Sequence, residues 1–244
     1  MRAAAIQLNS NADKERNLAA AERLVRAAVA DGAEFVALPE KWNLLAGSIS
    51  ERGEEGEKAS NTSVLVGPDG EDVAVYRKIH MFDVDAGGVS YRESEHERPG
   101  TEPAAAPVAD VKLGMTVCYD LRFPELFRIL ALRGARVIAV PSAFTLATGR
   151  DHWEVLLRAR AIENQLFVVA PNQWGEAPPH FSSFGRSLIA DPWGSVLATA
   201  ADGEGFVAAD LDFAAQDRIR ESLPSLANRR PGAYLWPQPA EAES

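Results

Sequence analysis

Short apolar runs of strand length, each halted by a proline or a polar residue, constrain this chain more than any other feature. Phe35-Val-Ala-Leu38 runs into Pro39-Glu40, Leu113-Gly-Met-Thr-Val117 into Cys118, Val137–Val140 into Pro141-Ser142, and Leu166–Ala170 into Pro171-Asn172. Helix-length segments lie between them. From Asp13 to Ala30, Leu18, Ala21, Leu24, Val25, Ala28 and Val29 recur at helical spacing, and Asp31-Gly32 supplies the stop. With Ala3–Leu8 ahead of it and Phe35–Leu38 behind, this helix makes a strand–helix–strand opening, the mark of an α/β protein. In sheets of that class sites assemble where strands end, so the residues that halt the runs are the first place to look for chemistry.

The remaining elements follow in order. Leu44–Ser50 reads as a strand, Glu51–Glu57 as a solvated polar turn, and Thr62–Val66 with Val73–Tyr76 as a hairpin around Pro68-Asp69-Gly70. A loop is predicted from Gly87-Gly88 to Pro99-Gly100, with Pro103 and Pro107 at its exit. Asp151–Gln165 reads as a helix, and Phe184–Ala190, Val196–Thr199 and Phe206–Asp210 as short strands around a turn at Asp191-Pro-Trp-Gly194. A last helix begins near Phe213, before a proline-rich tail. No linker, repeat or low-complexity tract divides residues 1–244, so one domain is expected. At 46% hydrophobic it can bury a large core. The net charge of −10 argues against nucleic acid or an anionic membrane as partner. No apolar run reaches membrane-spanning length, and the apolar start turns polar at Asn9, too early for a signal-peptide core. A cytoplasmic protein is expected.

Cys118 is the only cysteine, which excludes an internal disulfide and a cysteine-rich metal site. Alone it would pass for a small buried hydrophobe. Its setting argues otherwise: a strand, a sharp turn, then a helix whose first turn holds Pro124 and Glu125. At such a corner, backbone N–H groups and the helix dipole are expected to favour thiolate. Glu40 alone would be a solvated loop acid, and Lys78, in Tyr76-Arg-Lys-Ile-His-Met-Phe82, a surface charge. Together the three make a coherent set: a thiol, a carboxylate to take its proton, and an ammonium to hold thiolate and oxyanion. No rival set competes. His80, His96, His152 and His180 lack metal spacing, and His152-Trp-Glu154 lacks the paired cysteines of a zinc deaminase. Gly185-Arg-Ser187 lacks the last glycine of a nucleophile elbow, and no phosphate-cradling loop occurs. Neither a cofactor nor a metal is expected.

Phe35-Val-Ala-Leu-Pro-Glu40, Tyr76–Phe82 and Gly114-Met-Thr-Val-Cys118-Tyr-Asp-Leu-Arg-Phe-Pro-Glu125 resemble the nitrilase superfamily of carbon–nitrogen hydrolases. The likeness is strongest to its Nit branch of ω-amidases and deaminated glutathione amidases. It continues through Thr148–Glu154, Arg158–Glu163, Asp191–Gly194 and Asn228–Pro231. The resemblance implies Cys118 as nucleophile, Glu40 as general base, and Lys78 as stabiliser of the oxyanion and transition state. It implies a second glutamate in Tyr91-Arg-Glu-Ser94, which is Glu93, with Glu95 and Glu97 as nearby residues of the same type. The Tyr119 N–H would complete an oxyanion hole, and Phe144 and Thr145 match a pocket wall. It further implies an α-β-β-α sandwich paired into a homodimer. The implied activity is that of an amidase on a small linear carboxylic amide, the ω-amide of a 2-oxo acid or deaminated glutathione, through a thioester and without a cofactor. A nitrilase or an N-carbamoyl hydrolase would use the same residues.

One stretch departs from the family pattern. Members carry a helix and part of the next strand between the Pro-Glu-Lys-Trp-Asn block and the Ala-Gly-Ser-Ile-Ser strand. This chain has only Pro39–Asn43 between two strands. A parallel neighbour needs a crossover of about a dozen residues, and five span at most about 17 Å. One helical crossover is therefore expected to be missing after residue 43, with a strip of sheet left uncovered. The protein should then be weakly stable and poorly active, with Glu40 the residue displaced. From outside the enzyme class, the competing reading is a pseudoenzyme or binding module that kept the site and lost its chemistry.

Overall fold

The computed structural model describes residues 1–40, 47–86, 88–177 and 181–234. The start of the predicted 44–50 strand, Gly87, His180 and the end of the predicted tail lie outside the described residues. In chain order the elements are β1 (Arg2–Leu8), α1 (Lys14–Ala30), β2 (Phe35–Ala37), β3 (Ile49–Glu51), β4 (Ser60–Val66), β5 (Asp72–Arg77), β6 (Asp83–Ala86) and β7 (Val89–Arg92). Next come β8 (Ala104–Val108), β9 (Val111–Met115), α2 (Pro124–Leu132), β10 (Val137–Ala139), α3 (Leu146–Asn164) and β11 (Phe167–Ala170). The series closes with β12 (Asn172–Ala177), β13 (Phe181–Phe184), β14 (Leu188–Ala190), β15 (Val196–Thr199), β16 (Gly205–Asp210) and α4 (Phe213–Ser222).

Period-two alternation along the strands sorts these elements into layers. Val137 and Ala139 of β10 and Phe167 and Val169 of β11 pack with Ala3, Ala5, Phe35 and Ala37 in the core between two sheets. Their neighbours Ile138, Val140, Val168 and Ala170 face the other way and pack under α2 and α3. On β1, Ala4, Ile6 and Leu8 turn outward beneath Ala20, Leu24 and Ala28 of α1. The layers are α1, a sheet, a second sheet, then α2 and α3, which is the α-β-β-α sandwich expected. Apolar runs without polar interruption are what this arrangement demands, because both faces of each sheet are covered.

In the first sheet β16 runs antiparallel along one edge of β1. The other edge is shared by β2, paired through Ala3–Ala5, and β12, paired through Gln7 and Leu8. The second sheet has the order β15-β14-β11-β10-β9-β8 and is parallel through β9, β10 and β11. Pro107 sits in β8, at an edge where its missing donor does no harm, so this stretch pairs instead of serving as a loop exit. Helix α3 starts at Leu146, ahead of the predicted Asp151, because Thr145 caps it by accepting the Thr148 N–H at 3.4 Å. Gly149 lies so close under Phe184 that an added Cβ would collide with it.

The bypass after β2 follows the expectation. Among the described residues no helix occurs between β2 and β3, and β2 has no hydrogen-bonded neighbour on its edge away from β1. Strands β3, β4 and β5 form a separate three-stranded sheet. The chain returns at Gly47 hard against Leu38 and Pro39, where a Cβ would strike their carbonyl oxygens. Beside β2 an apolar cavity of about 580 Å³ opens, lined by Val25, Val29, Phe35, Leu65, Val73 and Leu113 among others.

Candidate active site

Glu40, Lys78, Glu93 and Cys118 come from separate stretches of chain and converge on one pocket of about 580 Å³. Cys118 opens a 3-10 turn, Cys118–Arg122, between β9 and α2. Its φ of +45° lies in the left-handed region, which is strained for a residue with a side chain. Hydrogen bonds hold it there. The Cys118 N–H donates to Pro141 O at 2.8 Å, and the Val117 N–H donates to Asp120 Oδ2 at 2.8 Å. Asp120 is fully buried and also accepts the Tyr76 O–H at 2.7 Å and the His80 N–H at 3.2 Å. One carboxylate thus ties the cysteine turn to the strand end that carries Lys78.

Lys78 is 1% exposed, so the surface-charge alternative fails. Its Nζ donates to Glu93 Oε2 at 2.7 Å and Oε1 at 2.9 Å, and to Glu40 Oε1 at 3.2 Å. Burial by itself would lower its pKa, but the charges of Glu40, Cys118 and Glu93 outweigh burial and hold it above the ordinary lysine range. It stays an ammonium.

Glu40 is 2% exposed and is not a solvated loop acid. Its Oε1 accepts from Asn61 Nδ2 at 2.9 Å and its Oε2 from the Ala143 N–H at 2.9 Å. Its own N–H reaches Ser142 O at 3.3 Å, and its carbonyl accepts from Gln173 Nε2 at 3.0 Å. The displacement expected of Glu40 is therefore absent: partners from β4, from the loop after β10 and from β12 fix it.

The thiol departs from expectation in the opposite direction. Burial and the neighbouring Glu40 charge push the Cys118 pKa well up, and Lys78 offsets this only in part. A thiolate was the expectation at a helix N-terminus, yet α2 begins only at Pro124 and the intervening turn is 3-10. The group at rest is therefore a thiol, in the pocket it shares with Glu40 and Ala143.

Glu93 is delivered by the β6–β7 hairpin and a 3-10 turn at Glu93–Glu95, inside the stretch predicted as loop. Both its oxygens bond Lys78, and Oε2 also accepts the Phe82 N–H at 2.7 Å. Glu95 is exposed, and Glu97 is buried beside an isolated bridge to Ala59. Tyr119, Phe144 and Thr145 line the pocket. The Phe144 N–H donates to Asn172 Oδ1 at 2.9 Å, and the Tyr119 ring meets Phe82 edge-on at 5.0 Å. Sequence reasoning missed Asn61, Phe82 and Gln173. The available signal for Asn61 was a polar residue directly before an apolar strand, and that is too common to single out. Among the described residues no cluster of His, Cys, Asp or Glu could hold a metal ion, and no helix is long and apolar enough to cross a membrane.

The chain matches the family model described as carbon-nitrogen hydrolase over residues 2–46 and 41–221. A deaminated glutathione amidase of Synechocystis sp. is 37% identical over 265 residues, covering 93% of this chain and 97% of that protein. The omega-amidase NIT2 of Mus musculus is 35% identical over 267 residues, covering 96% of each. The crystal structure of the C. elegans NitFhit protein superposes with a TM-score of 0.89 at 34% identity. That match takes in 96% of this chain and spans 66% of the C. elegans one. The two pieces of the family match overlap at residues 41–46. The 265-position alignment includes 93% of the 244 residues, or about 227, so at about 38 positions this chain has no residue to align.

Proposed function

The chain belongs to the carbon–nitrogen hydrolase family, and on that premise we propose that residues 1–244 act as one cysteine-dependent amidase domain. The carrying observation is one pocket lined by Cys118, Glu40 and Lys78, in which the Lys78 ammonium pairs with Glu40 at 3.2 Å and with Glu93 at 2.7 Å. The raised thiol pKa makes a base necessary, and Glu40 is that base. As the Cys118 sulfur attacks the amide carbon, its proton passes to Glu40. Negative charge gathers on the former carbonyl oxygen, where Lys78 and the backbone N–H of Tyr119 receive it. The C–N bond then breaks, Glu40 returns the proton to the nitrogen, and ammonia leaves a thioester on Cys118. Glu40 next takes a proton from water, the hydroxide adds to the thioester carbon, and the C–S bond breaks as the proton returns to sulfur. Carboxylate is the product, and no cofactor enters. Glu93 keeps Lys78 and Glu40 aligned.

The substrate class that the named relatives support is a small linear carboxylic amide, the ω-amide of a 2-oxo acid or deaminated glutathione. The protein acts in the cytoplasm as a homodimer. Its exposed Val155, Ile162 and Trp193 provide apolar surface for association, and light scattering of the purified protein checks the oligomeric state. Ammonia release across a panel of amides, nitriles and carbamoyl compounds, with Cys118→Ala in parallel, tests the activity. Cysteine-dependent release from amides is expected. Release only from nitriles or carbamoyl compounds would overturn the amide specificity, and release from nothing would mark a binding module.

A further inference from the structure

Asn61 belongs to none of the catalytic motifs, yet it touches more of the site than any other uncharged residue described above. It is the second residue of β4 and is 1% exposed. Its carbonyl accepts the Lys78 N–H at 2.8 Å, which fixes the backbone beneath the ammonium. Its Nδ2 donates to Glu40 Oε1 at 2.9 Å and to Glu93 Oε1 at 3.1 Å. Lys78 Nζ donates to the same two oxygens, at 3.2 and 2.9 Å.

We propose that Asn61 is a positioning residue that holds the Glu40 and Glu93 carboxylates together against their mutual repulsion. Two carboxylates and one ammonium share a site from which water is excluded, so the like charges repel strongly. A primary amide offers two hydrogens on one uncharged nitrogen, so a single atom bridges both carboxylates. A hydroxyl has one hydrogen and an alkyl group none. Another cation would neutralise the base that the thiol needs. The amide's own oxygen supports this assignment, since Asn61 Oδ1 is buried without a hydrogen-bond partner. An amide kept for packing alone would satisfy that oxygen, which is otherwise costly to bury. Turning the amide over would aim Oδ1 at both carboxylates, so they dictate its orientation. Asn61 also pairs with Ser50 of β3, the strand that resumes after the bypass. It thereby restrains Glu40 from the far side of the segment that lost its crossover.

The proposal takes its chemistry from the amidase reading, and its test separates the two. Asn61→Ala and the nearly isosteric Asn61→Asp are compared with the parent protein in kcat/KM against pH. The rate of Cys118 alkylation by iodoacetamide against pH, followed by intact mass, serves as a readout that needs no turnover. Lys78 and Cys118 face the carboxylates, Asp83 lies near Glu93, and Tyr91, Glu95 and His96 share the pocket lining; none is changed. Asn61→Asp adds a third carboxylate and Asn61→Ala adds none, so Asn61→Ala decides the pH shift. Losing a donated hydrogen bond disfavours a charged carboxylate, so the acid limb of both profiles should move up by about one pH unit. At neutral pH kcat should fall about ten- to hundredfold, with KM changing less than about threefold. Thermal unfolding of each variant identifies any that has lost its fold. Unmoved acid limbs in folded variants would overturn the role of Asn61 while leaving the amidase reading intact. A shifted alkylation profile in a protein that hydrolyses no amide would keep the role and overturn the amidase reading.

Discussion

The two sides of the candidate active-site pocket are built by opposite means. Cys118 sits in an uninterrupted strand–turn–helix whose own residues close the turn, with Pro141 O receiving the Cys118 N–H from the next strand's end. Val117 and Asp120 close the turn, and Phe127 and Leu130 of α2 are fully buried against the sheet beside it. Glu40 follows a three-residue strand that, among the described residues, has no partner on its outer edge and no helix between it and β3. Every restraint on its carboxylate comes from elsewhere, through Lys78, Asn61 and the Ala143 N–H. Catalytic geometry and local scaffold are therefore separable. Cross-links from neighbouring strands can hold a side chain whose own segment is short, while the cavity beside it leaves that side poor in packing.

Five experiments break or sharpen this contrast. The largest effect is expected from Cys118→Ala, which should reduce amide turnover about ten-thousand-fold or more. The melting temperature should change little, because a methyl group suits a site whose restraints are main-chain bonds. Appreciable residual turnover would remove the cysteine from the mechanism. On the opposite side Lys78→Met should cost both fold and function. It strands two buried carboxylates, for which breaking a buried ion pair typically costs about 3–5 kcal/mol. Urea unfolding measures that loss, and an unchanged midpoint would show that the cross-links do not hold the Glu40 side.

The lost crossover should cost somewhat less, several kcal/mol at about 25 cal/mol per Å² of apolar surface left uncovered. Urea unfolding beside the Synechocystis relative should show the deficit, and amide exchange in this chain should be fastest in β2. Equal stability and equal kcat/KM in the two proteins would show the segment to be dispensable. Glu93→Gln should lower kcat about ten- to hundredfold, whereas Glu95→Gln, exposed at the pocket, should leave it near native. The reverse ranking would reassign the second glutamate.

The smallest effect is a pH dependence. Because burial and Glu40 raise the folded Cys118 thiol above its ordinary value of 9.0, the folded state keeps a proton that the unfolded state loses above that pH. The parent protein should therefore lose stability, relative to Cys118→Ala, as pH rises past 9. The slope can reach about 1.4 kcal/mol per unit at most. Lys78, also raised, contributes stability that is fully present below 10.5, so its loss begins later. A constant gap between the two proteins from pH 7 to 10 would show that the thiol is not perturbed.

Patterns that act within a few residues were legible from the sequence alone. The 3.6-residue apolar period and the Asp31-Gly32 stop gave α1, and the structure adds the Asp13 cap, which accepts the Arg16 N–H at Oδ1 at 3.0 Å. The Pro-Asp-Gly turn gave the β4–β5 hairpin, and the apolar runs gave a doubly covered sheet whose ends carry Glu40, Lys78 and Cys118. The missing crossover was equally visible, because a minimum chain length is a covalent constraint. Elements whose pattern is polar were not. The β6–β7 hairpin that brings Glu93 to Lys78 reads as loop, since its register is set by the site it closes and not by an apolar face. Helix α3 gained its first turn from Thr145 and from the contact of Gly149 with Phe184, a residue far along the chain.

What the sequence by itself determined is the layered fold, the thiol–carboxylate–ammonium set and the place where the scaffold is short, because periodicity, spacing and chain length are local properties. Only the tertiary structure decided that the resting cysteine is a thiol, that Glu40 stays in place and that Asn61 binds both carboxylates. Each of these depends on which groups share a volume from which water is excluded. Desolvation and charge–charge interactions are set by distances across the fold, and separation along the chain does not encode them.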